Sequence, residues 1–468
     1  MFDSKLKGLI RSLCLLLLVQ MPLQAAYPYM NGILPTNASF EKVKEYWGHY
    51  KNKYITVSGD KAVGGHWEYH AFSMVFAAYI EDDEELFSKL WNEVEPGVEW
   101  EGPLWRKYKA ADVLIDIAMG LDRAAVRWGG KWPDLAKRWI LRFEHKLGPF
   151  WDICGCWDNP TGRKHNQLHC WAINGDACGH YINYYALSHF FRFDQRTDKT
   201  LWMDTVMTEC FYTLEHTYTK FALPPWYVRM KDVDRDGKAE GVQVLPGDMN
   251  NSRNPDKWDG GATRSAWRLP FAYIAFGTDW SYKWAEKMYN FYKSVESDPT
   301  NLSRYRPSSG QQYGSSGGDM LAVCGAGVLA MAMEDQEWAD RVWDYMVDPA
   351  NKNQSNQQRD SQRLYCMLKM SGKFDVYGDA EFAPGIGGGG VGTRKTSARP
   401  LLPFQRQQTH QFIAGTGSPV SSVIADYVQA RKAVAVYDLR GTFIDRAHDL
   451  GSFTRLNENL SPGKYILK

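Results

Sequence analysis

The 468-residue chain has no surplus of either charge, with 55 Lys and Arg against 54 Asp and Glu and a formal net charge of +1. That balance argues against the broad electrostatic footprint needed for nucleic acid or an anionic membrane, so an uncharged partner is expected. Beyond the N-terminus the chain lacks any stretch long and apolar enough to cross a bilayer, which takes roughly 18 residues. Strand-like alternation is scarce between residues 40 and 371. Cys154, Cys156, His165, His169, Cys170 and Cys178 cluster in sequence, but their spacing matches no standard zinc pattern, so disulfides or buried thiols are expected there.

What is present begins with an address. Lys5, Lys7 and Arg11 precede an apolar stretch over 13–19, and Ala25 and Ala26 follow as small residues. This reads as a signal peptide over 1–26, cleaved to leave a soluble, exported chain. Cleavage removes Cys14 from the eight cysteines and leaves an odd number, so at least one thiol stays unpaired within the chain.

The length exceeds one ordinary domain, and one large domain with an appendage is expected. Apolar residues recur at helical period over 69–80, 84–94, 111–126 and 198–218, and about a dozen such stretches fill 40–371. Paired helices wrapped around a common axis would suit them. Residues 224–261 are the exception, a long segment rich in Gly, Pro, Asp and Asn; loops of this length in a compact domain are commonly functional. The main domain is placed at 27–378 and a linker at 379–408 around the run APGIGGGG. Residues 409–468 form a β domain, a small sandwich, with strands at 433–439 and 465–467.

Several acids stand in surroundings that chemistry could use. Glu68 lies between Trp67 and Tyr69 at the start of an apolar helix, where desolvation would raise its pKa toward that of a general acid. It equally fits an acid that complements the helix dipole. Asp112 and Asp116 are one turn apart in ADVLIDIAMGL and share a side of an apolar helix, where they either hold a ligand or pair internally. Nineteen Trp supply either stacking faces for sugar rings or core. The segment DVDRDGKAEGVQ, from Asp232 to Gln243, places Asp232, Asp234, Asp236 and Glu240 where a calcium loop has oxygen ligands, with Gly237 at the turn; Gln243 replaces the usual bidentate Glu. It is either a weak structural calcium site or a solvated acidic turn.

The order of several motifs resembles glycoside hydrolase family 8 across nearly the whole helical region. WEYHAFSM at 67–74 is similar to the family's acid motif and implies Glu68 as general acid. DVLIDIA at 112–118 resembles its Asp-rich motif and implies Asp112 as the residue that holds and distorts the sugar at the cleavage subsite. LPPWYV at 223–228 and RLYCMLKMSGKF at 363–374 fall where the family has similar segments. ATRSAWRLPFAY at 262–273 resembles the base-bearing helix, but Gly261 stands at the usual Asp position. Asp259 is therefore the expected base, with Asp248 and Asp256 as alternatives. An inverting enzyme would hold it roughly 6.5 to 9.5 Å from Glu68.

The resemblance implies an all-α (α/α)6 six-hairpin toroid and an inverting endo-acting enzyme that cuts a β-1,4-linked polysaccharide, first cellulose or mixed-linkage β-glucan, with xylan or chitosan as alternatives. Trp67, Asp116, Trp258, Arg264 and Trp267 are the candidate substrate contacts; Arg264 either orients carboxylates or forms a structural ion pair. No cofactor is required, and a monomer is expected. The rivals are a catalytically silent glycan-binding protein, left without a base by Gly261, and a polysaccharide lyase on a similar toroid. At the C-terminus, VYDLRGTFID at 436–445 and LSPGKYILK at 460–468 resemble the sorting domain of the type IX secretion system. That implies outer-membrane secretion machinery as a partner and a secreted or surface location; a small carbohydrate-binding β module is the alternative.

Overall fold

A computed structural model describes residues 28–147 apart from 82, 99 and 101–110, and residues 179–377 apart from 200, 232–240, 244–255, 259, 314–316 and 355. It also describes four strands between 410 and 467. The helical region and the C-terminal strands belong to two separate compact units, divided after Gly392.

Twelve α-helices are described in the first unit. They are α1 (Phe40–Tyr54), α2 (Trp67–Tyr79), α3 (Glu84–Val94), α4 (Ala111–Trp128), α5 (Trp132–Leu147) and α6 (Leu187–Thr197), then α7 (Met207–Tyr218), α8 (Ser265–Phe276), α9 (Asp279–Val295), α10 (Met320–Ala332), α11 (Gln336–Val347) and α12 (Gln357–Met370). Even- and odd-numbered helices differ in kind. Every residue of α10 is buried, and α2, α6 and α12 are nearly as enclosed. By contrast α11 buries only Trp338, Ala339, Val342, Trp343 and Met346, a single stripe at helical spacing. A helix apolar all round needs neighbours on all sides, whereas a one-striped helix needs a single supporting layer.

The contacts follow that rule. Each even-numbered helix packs on the next, α2 on α4, then α6, α8, α10 and α12, and α12 returns to α2. The odd-numbered helices lie outside this closed ring. Among the described residues the fold is thus an (α/α)6 toroid of six helical hairpins. Because each inner helix is followed by an outer one that runs back, all six inner helices start at the same end of the ring. That end gathers Glu68, Asp112 and the residues just before α6, α8 and α12.

The stretch expected at 198–218 is helical but not a regular α-helix throughout. Asp198 adopts a left-handed φ of 56° and closes α6, and the helix resumes with a π-turn at Trp202–Val206. Residues 224–261 are not wholly loop either. Strand β4 (Tyr227–Lys231) pairs antiparallel with β3 (Gly179–Tyr181) and β5 (Gly241–Gln243) in a three-stranded sheet. Two small hairpins, β1 (Thr56–Ser58) with β2 (Lys61–Val63) and β6 (Arg304–Tyr305) with β7 (Gln312–Tyr313), complete the ring's connections.

Two close approaches fix the ring. Tyr29 donates its hydroxyl to the Lys369 carbonyl at 2.9 Å, and buried Asp360 on α12 accepts from Tyr46 (2.5 Å) and Tyr54 (2.7 Å) on α1. On α10, a Cβ at Gly325 would lie 2.6 Å from Ala266 Cβ on α8. Gly325→Ala is therefore expected to destabilise the protein by about 1–3 kcal/mol despite the better helix propensity of Ala, read as a lower urea midpoint at unchanged slope.

Cys210, Cys324 and Cys366 are buried; Cys14, Cys154, Cys156, Cys170 and Cys178 lie outside the described residues. In the second unit, β8 (His410–Ala414), β9 (Val434–Asp438), β10 (Phe443–Ala447) and β11 (Gly463–Leu467) form one antiparallel sheet in the order β10-β9-β11-β8. The strands expected at 433–439 and 465–467 correspond to β9 and β11. No second layer of a sandwich is among the described residues.

Candidate active site

The inner-helix N-termini enclose a cleft of about 370 Å³. His66, Glu68 and Tyr69 line it from the start of α2, and Asn183 and Tyr184 from the turn before α6. Trp226, Gly261, Arg264 and Gln358 complete it.

Arg264 is the hub. It closes the 3₁₀ turn Ala262–Arg264 that leads into α8 and is 1% exposed. Its Nη2 donates to Glu68 Oε2 and its Nη1 to Asp112 Oδ2, both at 2.6 Å, while its guanidinium lies over the Phe72 ring at 5.1 Å. One cation thus faces two carboxylates, and with both ionised the cluster carries an excess negative charge in a desolvated place. Burial, then the neighbouring Glu68 charge, push Asp112 up to about 6, against the opposing pull of Arg264. A protonated Asp112 relieves the excess negative charge beside Glu68. Glu68 reaches the cleft with 18% of its side chain exposed. Asp112 Oδ1 has no hydrogen-bond partner among the described residues.

One helical turn deeper the same pattern repeats with a different outcome. Arg268 Nη2 donates to Asp116 Oδ2 at 2.6 Å, Tyr365 donates to Asp116 Oδ1 at 3.3 Å, and His189 Nε2 stands at 3.3 Å from the same oxygen. Burial depresses His189 to about 4, so the ring is neutral at pH 7 and Arg268 alone balances Asp116. Burial opposes ionisation of Asp116, but Arg268 and His189 together hold its carboxyl below the usual range. Asp116 was expected to contact substrate; it lies under the cleft floor, saturated by these partners, and this expectation is corrected.

The aromatic expectations change too. Trp258 and Trp267 are fully buried. Trp258 Nε1 donates to Tyr292 at 2.7 Å, and Trp267 stacks on Tyr365 with centroids 4.8 Å apart. Neither offers a face to a sugar, so both are core residues rather than stacking platforms. Trp67 is half-buried, packs edge-on against His70 at 5.8 Å and does not line the cleft. The aromatic rings that do are Trp226, Tyr69 and Tyr184. Trp226 sits in the quoted run LPPWYV, between two prolines and a strand, and that placement was the available signal.

Among the alternative bases, Asp256 accepts from Ser308 N and Oγ, both at 2.8 Å, outside the cleft lining. Asp259 and Asp248 lie outside the described residues, as do Asp232, Asp234, Asp236 and Glu240 of the calcium expectation. Among the described residues, no group of three or more His, Cys, Asp or Glu is arranged to hold a metal.

Gly261 is glycine for a steric reason. Its φ of −66° and ψ of −37° are open to any residue, but a Cβ would meet Asn183 Nδ2 and the Trp226 ring at 3.2 Å. Gly260 is the conformational one, with φ of 50°.

A closed toroid with an arginine-bridged carboxylate pair at the helix-start end of its axis defines the class of architecture. Solved structures share the toroid. A β-1,3-1,4-glucanase from Paenibacillus sp. X4 aligns with a TM-score of 0.61 at 20% identity, over 76% of this chain and 99% of its own. Rex8A from Paenibacillus barcinonensis, complexed with xylose, aligns at 0.53 and 17% identity over 73% of this chain and 95% of its own. A reducing-end-xylose releasing exo-oligoxylanase gives 0.52 and 17%, with the same coverages of 73% and 95%. No family model and no curated protein matches the sequence. At these identities the likeness establishes the fold.

Proposed function

We propose that this chain is an inverting glycoside hydrolase of family 8 that cuts a β-1,4-linked polysaccharide, with mixed-linkage β-glucan or cellulose as the leading substrates and xylan next. The observation that carries the reading is the Arg264-bridged pair of Glu68 and Asp112, opening on a cleft with Trp226 and two tyrosines for sugar faces. Glu68 gives the proton to the leaving oxygen. The resemblance assigns Asp112 to the sugar at the cleavage point; it is buried behind the cleft lining, with Oδ2 held by Arg264 and Oδ1 without a partner among the described residues, so its part is to position Arg264 and Glu68 there. Asp259 is the proposed base. The similarity to a β-1,3-1,4-glucanase and to enzymes named for xylose release supports a substrate of the glucan or xylan kind. Export through a signal peptide, a C-terminal sorting domain and a calcium-stiffened loop at 232–243 are parts of the same proposal.

The test is incubation of the mature protein with barley β-glucan, carboxymethylcellulose, xylan and chitosan, reading reducing ends and the anomer of new products by NMR. Release of α-anomers from one of them is expected. Binding without release would favour a silent glycan binder, and unsaturated products would mean a lyase.

The working acid Glu68 must be protonated, so kcat/KM is expected to fall with rising pH where Glu68 ionises. Ionised Asp112, whose carboxyl burial raises to about 6, opposes that ionisation and moves the limb up. In Asp112→Asn the excess negative charge is gone, and the limb is expected at lower pH; a pH–rate profile of both proteins checks the sign.

A further inference from the structure

The proposed reaction needs water on the side of the sugar away from Glu68. Helices α2 and α8 stand three places apart in a ring of six, so Glu68 on α2 and Gly261 before α8 line the cleft from opposite places in the ring, with Asn183 and Trp226 beside Gly261. The polar side chain beside Gly261 is an amide. Asn183 Nδ2 lies 3.2 Å from where a Cβ on Gly261 would sit, so the amide occupies the space that the glycine leaves. Asn183 is 1% exposed, and its Oδ1 has no hydrogen-bond partner among the described residues. A buried amide oxygen left unpaired costs about 1–3 kcal/mol, which only a ligand in the cleft would recover. Its position is firm, because Arg268 Nη1 donates to the Asn183 carbonyl at 3.2 Å while its Nη2 is held by Asp116. The backbone is anchored, and the side chain is enclosed with its oxygen unsatisfied, a group placed for a small polar ligand.

We propose that the Asn183 amide binds and orients the attacking water, its Oδ1 accepting one of the water's hydrogens. This rests on the glycoside hydrolase reading above. In the step, the glycosidic C–O bond breaks as Glu68 passes its proton to the leaving oxygen, and the water oxygen bonds to the anomeric carbon. The water's other proton passes to the base carboxylate proposed at Asp259, and the amide neither gains nor loses a proton.

The test compares Asn183→Leu, Asn183→Ala and Asn183→Asp with the wild type on the best glycan substrate. Loss of the acceptor in the Leu and Ala variants is expected to lower kcat about tenfold or more with KM within about twofold, since an interaction made only on the way to the transition state moves kcat. Asn183→Asp keeps an acceptor of the same size and is expected to retain most of the rate. A packing role would instead lower the melting temperature or raise KM and leave kcat alone. A kcat in Asn183→Leu within about twofold of wild type, with Glu68→Gln inactive, would overturn this inference and leave the hydrolase reading standing. If the wild type frees no reducing ends from any glycan, both fall.

Discussion

Glu68→Gln is expected to lower kcat by about 10²- to 10⁴-fold, the usual contribution of a positioned general acid. The substitution keeps the side chain's volume, and the amide oxygen still accepts from Arg264, so the cleft retains its shape. What disappears is the proton. Asp112 is not a substitute donor, because it is 1% exposed and turned toward Arg264, whereas Glu68 lines the cleft. Oligosaccharide binding by calorimetry should be preserved, and the melting temperature should not drop, since one of two carboxylates competing for a single guanidinium has been neutralised. A Glu68→Gln variant with more than a tenth of wild-type kcat would remove Glu68 from the role of acid.

The second large effect is on stability. Arg268→Met is expected to cost about 3–5 kcal/mol, because it leaves the buried Asp116 carboxylate without its counter-charge. Tyr365 and neutral His189 can still share a hydrogen bond with it but supply no charge. The change also frees the Asn183 carbonyl, so the cleft wall loosens together with the core. Chemical denaturation of Arg268→Met, Asp116→Asn and the double variant measures this. The double variant is expected to be more stable than Arg268→Met alone, since neither charge then remains unpaired. An additive result would show that the two groups do not act as one unit.

Much of the ring was legible in the sequence because an amphipathic outer helix and an all-apolar inner helix leave different periodic traces. The stretches at 84–94 and 111–126 match α3 and α4 to within two residues. The stretch expected at 198–218 opens at the left-handed Asp198 that ends α6 and closes with α7 at Tyr218. Glu68 stood out by its aromatic flanks. The pairing of Asp112 with Arg264 and Asp116 with Arg268 was also written in the chain, since DVLID and RSAWR carry the same one-turn spacing. Reading it required knowing which helices face each other, and periodicity holds no such information. The tryptophans were misassigned for a related reason. Trp267 lies on α8, where each side chain turns by about 100° from the last and this one faces the core, while Trp258 sits in a bridge to Tyr305 with its indole buried.

The return of α12 onto α1 and α2 has a further consequence, for the order in which the chain acquires structure. Bonds such as Tyr29 to Lys369 and Tyr46 to Asp360 span more than 300 residues. A ribosome must therefore finish almost the entire helical region before its first and last hairpins can meet. Until then the apolar flanks of α2 and α10 lack their final neighbour, α12, and closure of so long a loop is slow. The maturing protein spends that interval as an open arc of hairpins, and the cleft comes into being only with the last helix.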